Sequence, residues 1–151
     1  MTTTTQTPVR RAATALENRL GLAAGVYAGA GLLAGLFART LTHSRDFTGD
    51  TVLWLGHTHL LALGMLVMLA VLVLERIFGV SESKAFRWFE PVYHVGLVVT
   101  VASLLVRGTL QVVATNPTSM AFAGIAGLGH ILLTVAFVML FLALRGVLRA
   151  R

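Results

Sequence analysis

Four long apolar runs, separated by short polar segments, set the pattern of this chain. Each is longer than the roughly 20 residues of helix that cross a bilayer. The pattern predicts helices near 19–41, 52–77, 89–113 and 120–145. Asp50 or Thr51 is placed to cap the second helix, and Thr118 or Ser119 the fourth. Pro91 falls in the first turn of the third, where its missing N–H costs little, and Pro117 breaks the connection before the fourth. The expected fold class is all-α, an integral membrane four-helix bundle over residues 18–151. A polar tail, 1–17, precedes it and is expected to be disordered. Its MTTTTQTPV start has no basic residue ahead of an apolar run, so it does not read as a signal peptide.

Within this apolar pattern the polar exceptions carry the information. The second span opens with His57-Thr58-His59, and the fourth contains His130. The third carries Gly96, Thr100, Ser103, Arg107 and Gln111 at three- and four-residue steps, which form one stripe of a helix. In the fourth, Gly124, Gly127, His130 and Thr134 form another. At 1.5 Å per residue, His59 and Arg107 lie roughly 10 Å, and His130 about 15 Å, from the same end of the bundle. Three polar groups from three helices therefore share one half of the membrane. A weak internal repeat agrees with this: HLLALGMLVML from His59 and HILLTVAFVML from His130 share the histidine, a leucine two places on and a closing Val-Met-Leu. As parallel repeats about an axis along the membrane normal, they make His59 and His130 symmetry mates.

Composition sharpens the class. The chain has 151 residues, 56% of them hydrophobic and 12% charged, and a mean hydropathy of +0.83. A soluble domain carries about twice that charge. The absence of cysteine excludes disulfides, thiolate metal sites and iron–sulfur clusters ligated by cysteine. The net charge of +6 does not indicate nucleic acid, because the basic residues sit at the ends of the apolar runs, where they orient helices and meet anionic lipid. Arg10, Arg11, Arg19, Arg76, Lys84, Arg87, Arg145, Arg149 and Arg151 fall on one side, and only Arg39 and Arg45 on the other. That asymmetry predicts a multi-pass membrane protein with both termini in the cytoplasm.

Ionisable groups at membrane depth are costly and usually face something that binds them. Imidazole is also a common haem and metal ligand. His57 and His59 point about 200° apart on a helix, so a regular helix presents one of them to a site; the repeat favours His59. Arg107 needs an anion. Asp46, Asp50 or a haem propionate can supply one, the last through a two-pronged guanidinium–carboxylate contact. Gly124 and Gly127 remove bulk beside His130, as a flat macrocycle requires. His94, off the polar stripe and near the opposite end, reads as an interfacial histidine, and His43 as a solvated loop residue. Helix one carries Gly21, Gly25 and Gly29, and Gly31 and Gly35, at four-residue spacing. Such spacing lets helices approach closely, within the bundle or across a homodimer.

At HTHLLALG (57–64), LLVRGTLQV (104–112) and GIAGLGHILLT (124–134) the chain resembles a family of small bacterial four-helix membrane proteins classed as a domain of unknown function. The segments DFTGDT (46–51) and LERIFGVSESKAF (74–86) resemble that family's connections. The likeness runs from helix one to helix four. It implies that His57, His59, Arg107 and His130 occupy family motif positions, and it implies no activity. The position after Tyr93, usually asparagine in the family, is His94 here. A looser architectural likeness is to membrane b-type cytochromes and haem–copper oxidase subunits.

The functional expectation is a membrane-embedded protein that binds haem b, with His59 and His130 as axial ligands, Arg107 on a propionate and His57 beside or in place of His59. Electron transfer, or binding of O₂ or NO, is the expected role, with a quinol or another redox partner as donor. The alternatives are a copper or zinc site on His57, His59 and His130, a small transporter along Thr100, Ser103, Arg107 and Gln111, and a structural or assembly subunit.

Overall fold

The computed structural model describes residues 14–114 and 120–150, and among them every long element is helical, with no strand. The first helix, α1, spans Ala15–Ser44. It starts four residues before the expected position because Thr14 and Glu17 close a capping box: the Thr14 hydroxyl accepts from the Glu17 N–H, and the Glu17 carboxylate from the Thr14 N–H. Residues 14–17 of the expected tail are thus the start of the helix, and 1–13 lie outside the described residues. Glu17 is buried and also accepts from Arg76 at 3.1 Å, which ties the start of α1 to the second span.

That second span is continuous from Leu53 to Phe78 but not regular. It runs as α2 (Leu53–His59), a π-helical segment (Leu60–Leu66) and α3 (Val67–Phe78). Its start is not capped by Asp50. The Gln111 side-chain carbonyl accepts from Val52 N–H at 2.8 Å, and the Thr51 hydroxyl accepts from Leu53 N–H. Its end is a left-handed Gly79, φ +66°, as favoured after a helix. The buried Glu75 then accepts from both the N–H and the hydroxyl of Ser81. The fourth helix, α4, spans Phe86–Val113 and begins earlier than expected, so Pro91 sits one turn inside it. The last, α5, spans Met120–Arg149; the caps expected of Thr118 or Ser119 lie outside the described residues.

The helices alternate in direction. Arg19 pairs with Glu90 at 2.6 Å, Glu17 with Arg76, and Gly146 neighbours Ser83. The starts of α1 and α4 and the ends of α3 and α5 therefore share one end of the bundle, here the terminal end; residues 45–52 lie at the far end. Helix α4 packs on both α5 and the second span, and α1 packs along the second span. Among the described residues no Cα pair between α1 and α5 comes within 8 Å.

Glycines fix the register of these contacts. A Cβ at Gly108 would collide with the backbone of Leu53, and one at Gly56 with the Leu105 side chain. Gly96 and Gly129 meet backbone to backbone, with Thr100 and Leu133 beside them. In α1, Gly31 and Gly35 are filled by Leu61 and His57, whereas Gly25 and Gly29 have nothing within 4 Å. Of the expected helix-one glycines, the first pair to be used within the bundle is therefore 31 and 35. The core holds Leu20, Met68, Phe89, Tyr93, Leu97 and Leu133. Outside it, Leu22, Leu33, Val73, Val98, Ile131 and Phe141 are exposed on all sides of the molecule. An apolar exterior around four helices long enough to cross a bilayer marks a multi-pass membrane protein.

The two classes of glycine should respond differently to a methyl group. Gly108→Ala forces two backbones apart and is expected to cost about 1–3 kcal/mol, read as a lower thermal midpoint in detergent. Gly25→Ala enters open space and should leave that midpoint unchanged.

Candidate functional site

Among the expected ligands, the structure brings His59 and His130 together. Their ring centres are 6.1 Å apart with ring planes at 83°. Each ring is oriented by its own helix: His59 Nδ1 lies 2.8 Å from the Leu55 carbonyl, and His130 Nδ1 2.8 Å from the Ala126 carbonyl. A carbonyl oxygen only accepts, so both rings donate from Nδ1–H and leave the Nε2 lone pair free. That is the tautomer a metal-binding imidazole needs, held by the kind of backbone contact that orients such ligands. Metal–imidazole bonds run about 2 Å, and two rings bound opposite one another on one ion have centres roughly 6 Å apart. The observed centre-to-centre separation is close to that value.

The common depth of the two rings follows from the glycine contacts. Antiparallel pairing of Leu53 with Gly108 and Gly56 with Leu105 sets His59 opposite residue 102 of α4. Pairing of Gly96 with Leu133 and Thr100 with Gly129 sets His130 opposite residue 99. The difference of three residues is roughly 4.5 Å of rise. Among the described residues no Cα of α2 or of the π segment comes within 8 Å of α5, and the second span approaches α5 through α3. His59 is half-buried and His130 exposed. Gly124 and Gly127 have nothing within 4 Å of where a Cβ would stand, which leaves the wall beside His130 free of bulk.

Arg107 lies five to eight residues farther along α4 than the levels of the two histidines, roughly 7–12 Å toward the far end. It follows Thr100 by seven residues and so returns to the face that meets α5. It is half-buried. No ion pair joins it to Asp46, Asp50 or any other described carboxylate.

The other expected residues have different tasks. His57 turns to α1, where its Nδ1–H donates to the Gly31 carbonyl at 2.8 Å and its ring covers Gly35. It joins two helices and does not complete a three-histidine site. Among the described residues no group of three His, Cys, Asp or Glu side chains is placed to hold a metal ion, so the three-histidine copper or zinc alternative is not assembled. The stripe on α4 does not line a path either. Thr100 and Ser103 are buried and donate to carbonyls of their own helix, and Gln111 caps α2. His43 is exposed, but it lies in the last turn of α1 and not in the loop expected for it.

Two features had no warning in the sequence reading. One is the π segment, which begins directly after His59; π turns inside α-helices are frequent at functional sites. Its Leu63 carbonyl accepts from the Tyr93 hydroxyl at 2.6 Å, and Gly64 packs on the Tyr27 ring. The proposed repeat is not reproduced here, since α5 continues as an ordinary α-helix after His130. The other is a pair between Tyr27 and His94, 2.6 Å from hydroxyl to Nδ1. The apolar period of the helices signals neither. A tyrosine and a histidine on facing helices were the available hint, and nothing local gave their register.

No curated protein matches the chain, and neither does a solved structure. A family model described as protein of unknown function (DUF2871) matches residues 18–147, from the first turn of α1 to the last turns of α5 and through every motif above. The chain belongs to that family.

Proposed function

We propose that the chain is a b-type haem protein of the membrane, with the iron held between His59 and His130. The observation that carries this reading is the pair itself: two imidazoles from different helices, centres 6.1 Å apart, each donating from Nδ1 to a backbone carbonyl. The open space at Gly124 and Gly127, on the same helix as His130, supports this reading, and the half-buried Arg107 would hold a propionate through a two-pronged contact. Bound this way, haem supplies one-electron transfer, and loss of one axial histidine opens a position for O₂ or NO. The apolar exterior favours a membrane-soluble quinol as the electron donor. The excess of basic residues in the sequence before the first, between the second and third, and after the fourth span, against Arg39 and Arg45 between the first and second, supports a cytoplasmic terminal end, with the haem in the outer half of a bacterial inner membrane.

Histidine variants test the assignment. His59→Ala and His130→Ala are each expected to lose most bound haem or to convert it to a five-coordinate spectrum. His43→Ala, far from the pair, should keep the native haem content. Retention of native haem content and spectrum in both of the first two variants contradicts the proposal. Arg107→Leu should leave the six-coordinate spectrum intact while weakening retention, because a hydrogen bond to a charged group is worth ~1.5–3 kcal/mol. A competition assay with apomyoglobin reads that loss, roughly 10- to 100-fold.

A further inference from the structure

On the other side of α4, toward the terminal end, Tyr27 and His94 form a polar pair inside the membrane span. Their rings stack at 5.7 Å with planes 25° apart, and the phenol oxygen is 2.6 Å from His94 Nδ1. Phenol is the better donor, so in the neutral state the Tyr27 hydroxyl donates to Nδ1 and the His94 proton sits on Nε2. When the imidazole is protonated, Nδ1–H donates and the phenol oxygen accepts. The same separation serves both states, so protonation does not require the helices to move.

The neighbours of this pair lie toward the exposed terminal end on one side and toward the histidine site on the other. One turn before His94 on α4, Glu90 is paired with the exposed Arg19 at the terminal end. Tyr93, edge-on to His94, donates to the Leu63 carbonyl one turn beyond His59 and meets Phe137 of α5 edge-on. The titratable and charged groups facing His94 are Tyr27 and Arg19 from α1 and Glu90 and Tyr93 from α4. The π segment and residues 131–144 of α5 contain none. Arg19 and Glu90 neutralise each other, so His94 is left as the group able to take up net charge there. It lies five to eight residues along α4 from the levels of His130 and His59, an axial offset of roughly 7–12 Å.

We propose that His94 is a redox-linked proton acceptor, taking up one proton from water at the terminal end when the His59–His130 site gains one electron. This rests on the haem reading above. The electron comes from a one-electron reductant, dithionite in the test, the proton goes to the imidazole, and no covalent bond of the protein breaks. Unit charges about 10–15 Å apart at an effective dielectric constant near 20 change proton affinity by on the order of tenfold. By linkage the iron potential is higher while His94 is protonated at low pH, and falls as pH rises through its titration. A tenfold change corresponds to about 59 mV for one electron.

The test is a spectroelectrochemical titration of the haem-loaded protein from about pH 5 to 8. In the native protein the midpoint potential should fall by a total of about 60 mV. In His94→Asn, whose amide oxygen can still accept from Tyr27, it should be nearly flat with haem content unchanged. An equal pH dependence in the two proteins overturns the proposal and leaves the haem reading standing. A protein that takes up no haem overturns the haem reading and this inference with it. Nitrogen-15 NMR of histidine-labelled protein made without haem reads the group directly. A second ring proton gained by His94 in the same range supports the proposal, and an imidazole that stays singly protonated overturns it.

Discussion

The molecule depends on close backbone contact between α4 and its two neighbours. At Gly108 against Leu53, and at Gly129 against Thr100, there is no room for a single Cβ. Lipid tails are as apolar as the side chains, so association in a bilayer relies on packing of this kind. The contacts also set register: with Leu53 held on Gly108 and Gly129 on Thr100, His59 and His130 arrive within roughly 4.5 Å of the same depth. A slip of one helical turn at either contact would shift one ring by about 5.4 Å and separate the pair.

The histidines show how an apolar bundle tolerates polar groups. His57, His59 and His130 all place a ring N–H on a backbone carbonyl, but their neighbours divide the roles. His57 is sandwiched on α1, where Gly31 and Gly35 receive it, and acts as a tie between helices. His59 and His130 face one another with ring centres 6.1 Å apart, and each retains an unshared lone pair on Nε2. Packing thus separates the histidine that holds the bundle together from the two that remain available. The irregular turn after His59 belongs to the same division. A π segment leaves backbone groups off the ordinary ladder, and Tyr93 of α4 supplies a hydroxyl to one of them at Leu63.

The four spans were legible because their signal is length and hydrophobicity, which neighbouring helices do not alter. The juxtaposition of His59 and His130 was legible too, because depth can be counted from helix starts and the two short motifs align on the histidine. The preference for His59 over His57 rested only on that alignment; the packing of His57 on Gly31 and Gly35 of the facing helix had no local signal. The start of α1 lies a turn before the apolar run because Thr14 and Glu17 cap it there; α2 starts within a residue of expectation, with Thr51 accepting from Leu53 N–H as well as Gln111, 59 residues away, from Val52 N–H. The π segment and the Tyr27–His94 pair were invisible because an apolar stretch reads alike in α and π geometry, and because a tyrosine 67 residues from a histidine declares nothing until the register of α1 is known.

The central claim is that two imidazoles on different helices share one haem iron. Optical spectra of the detergent-purified protein, made with ample haem and recorded oxidised and then dithionite-reduced with a pyridine haemochrome assay, test it most directly. The account predicts a Soret band with sharp reduced α and β bands of six-coordinate b-type haem, one haem per chain. A colourless protein, or a reduced spectrum of five-coordinate iron, would contradict it.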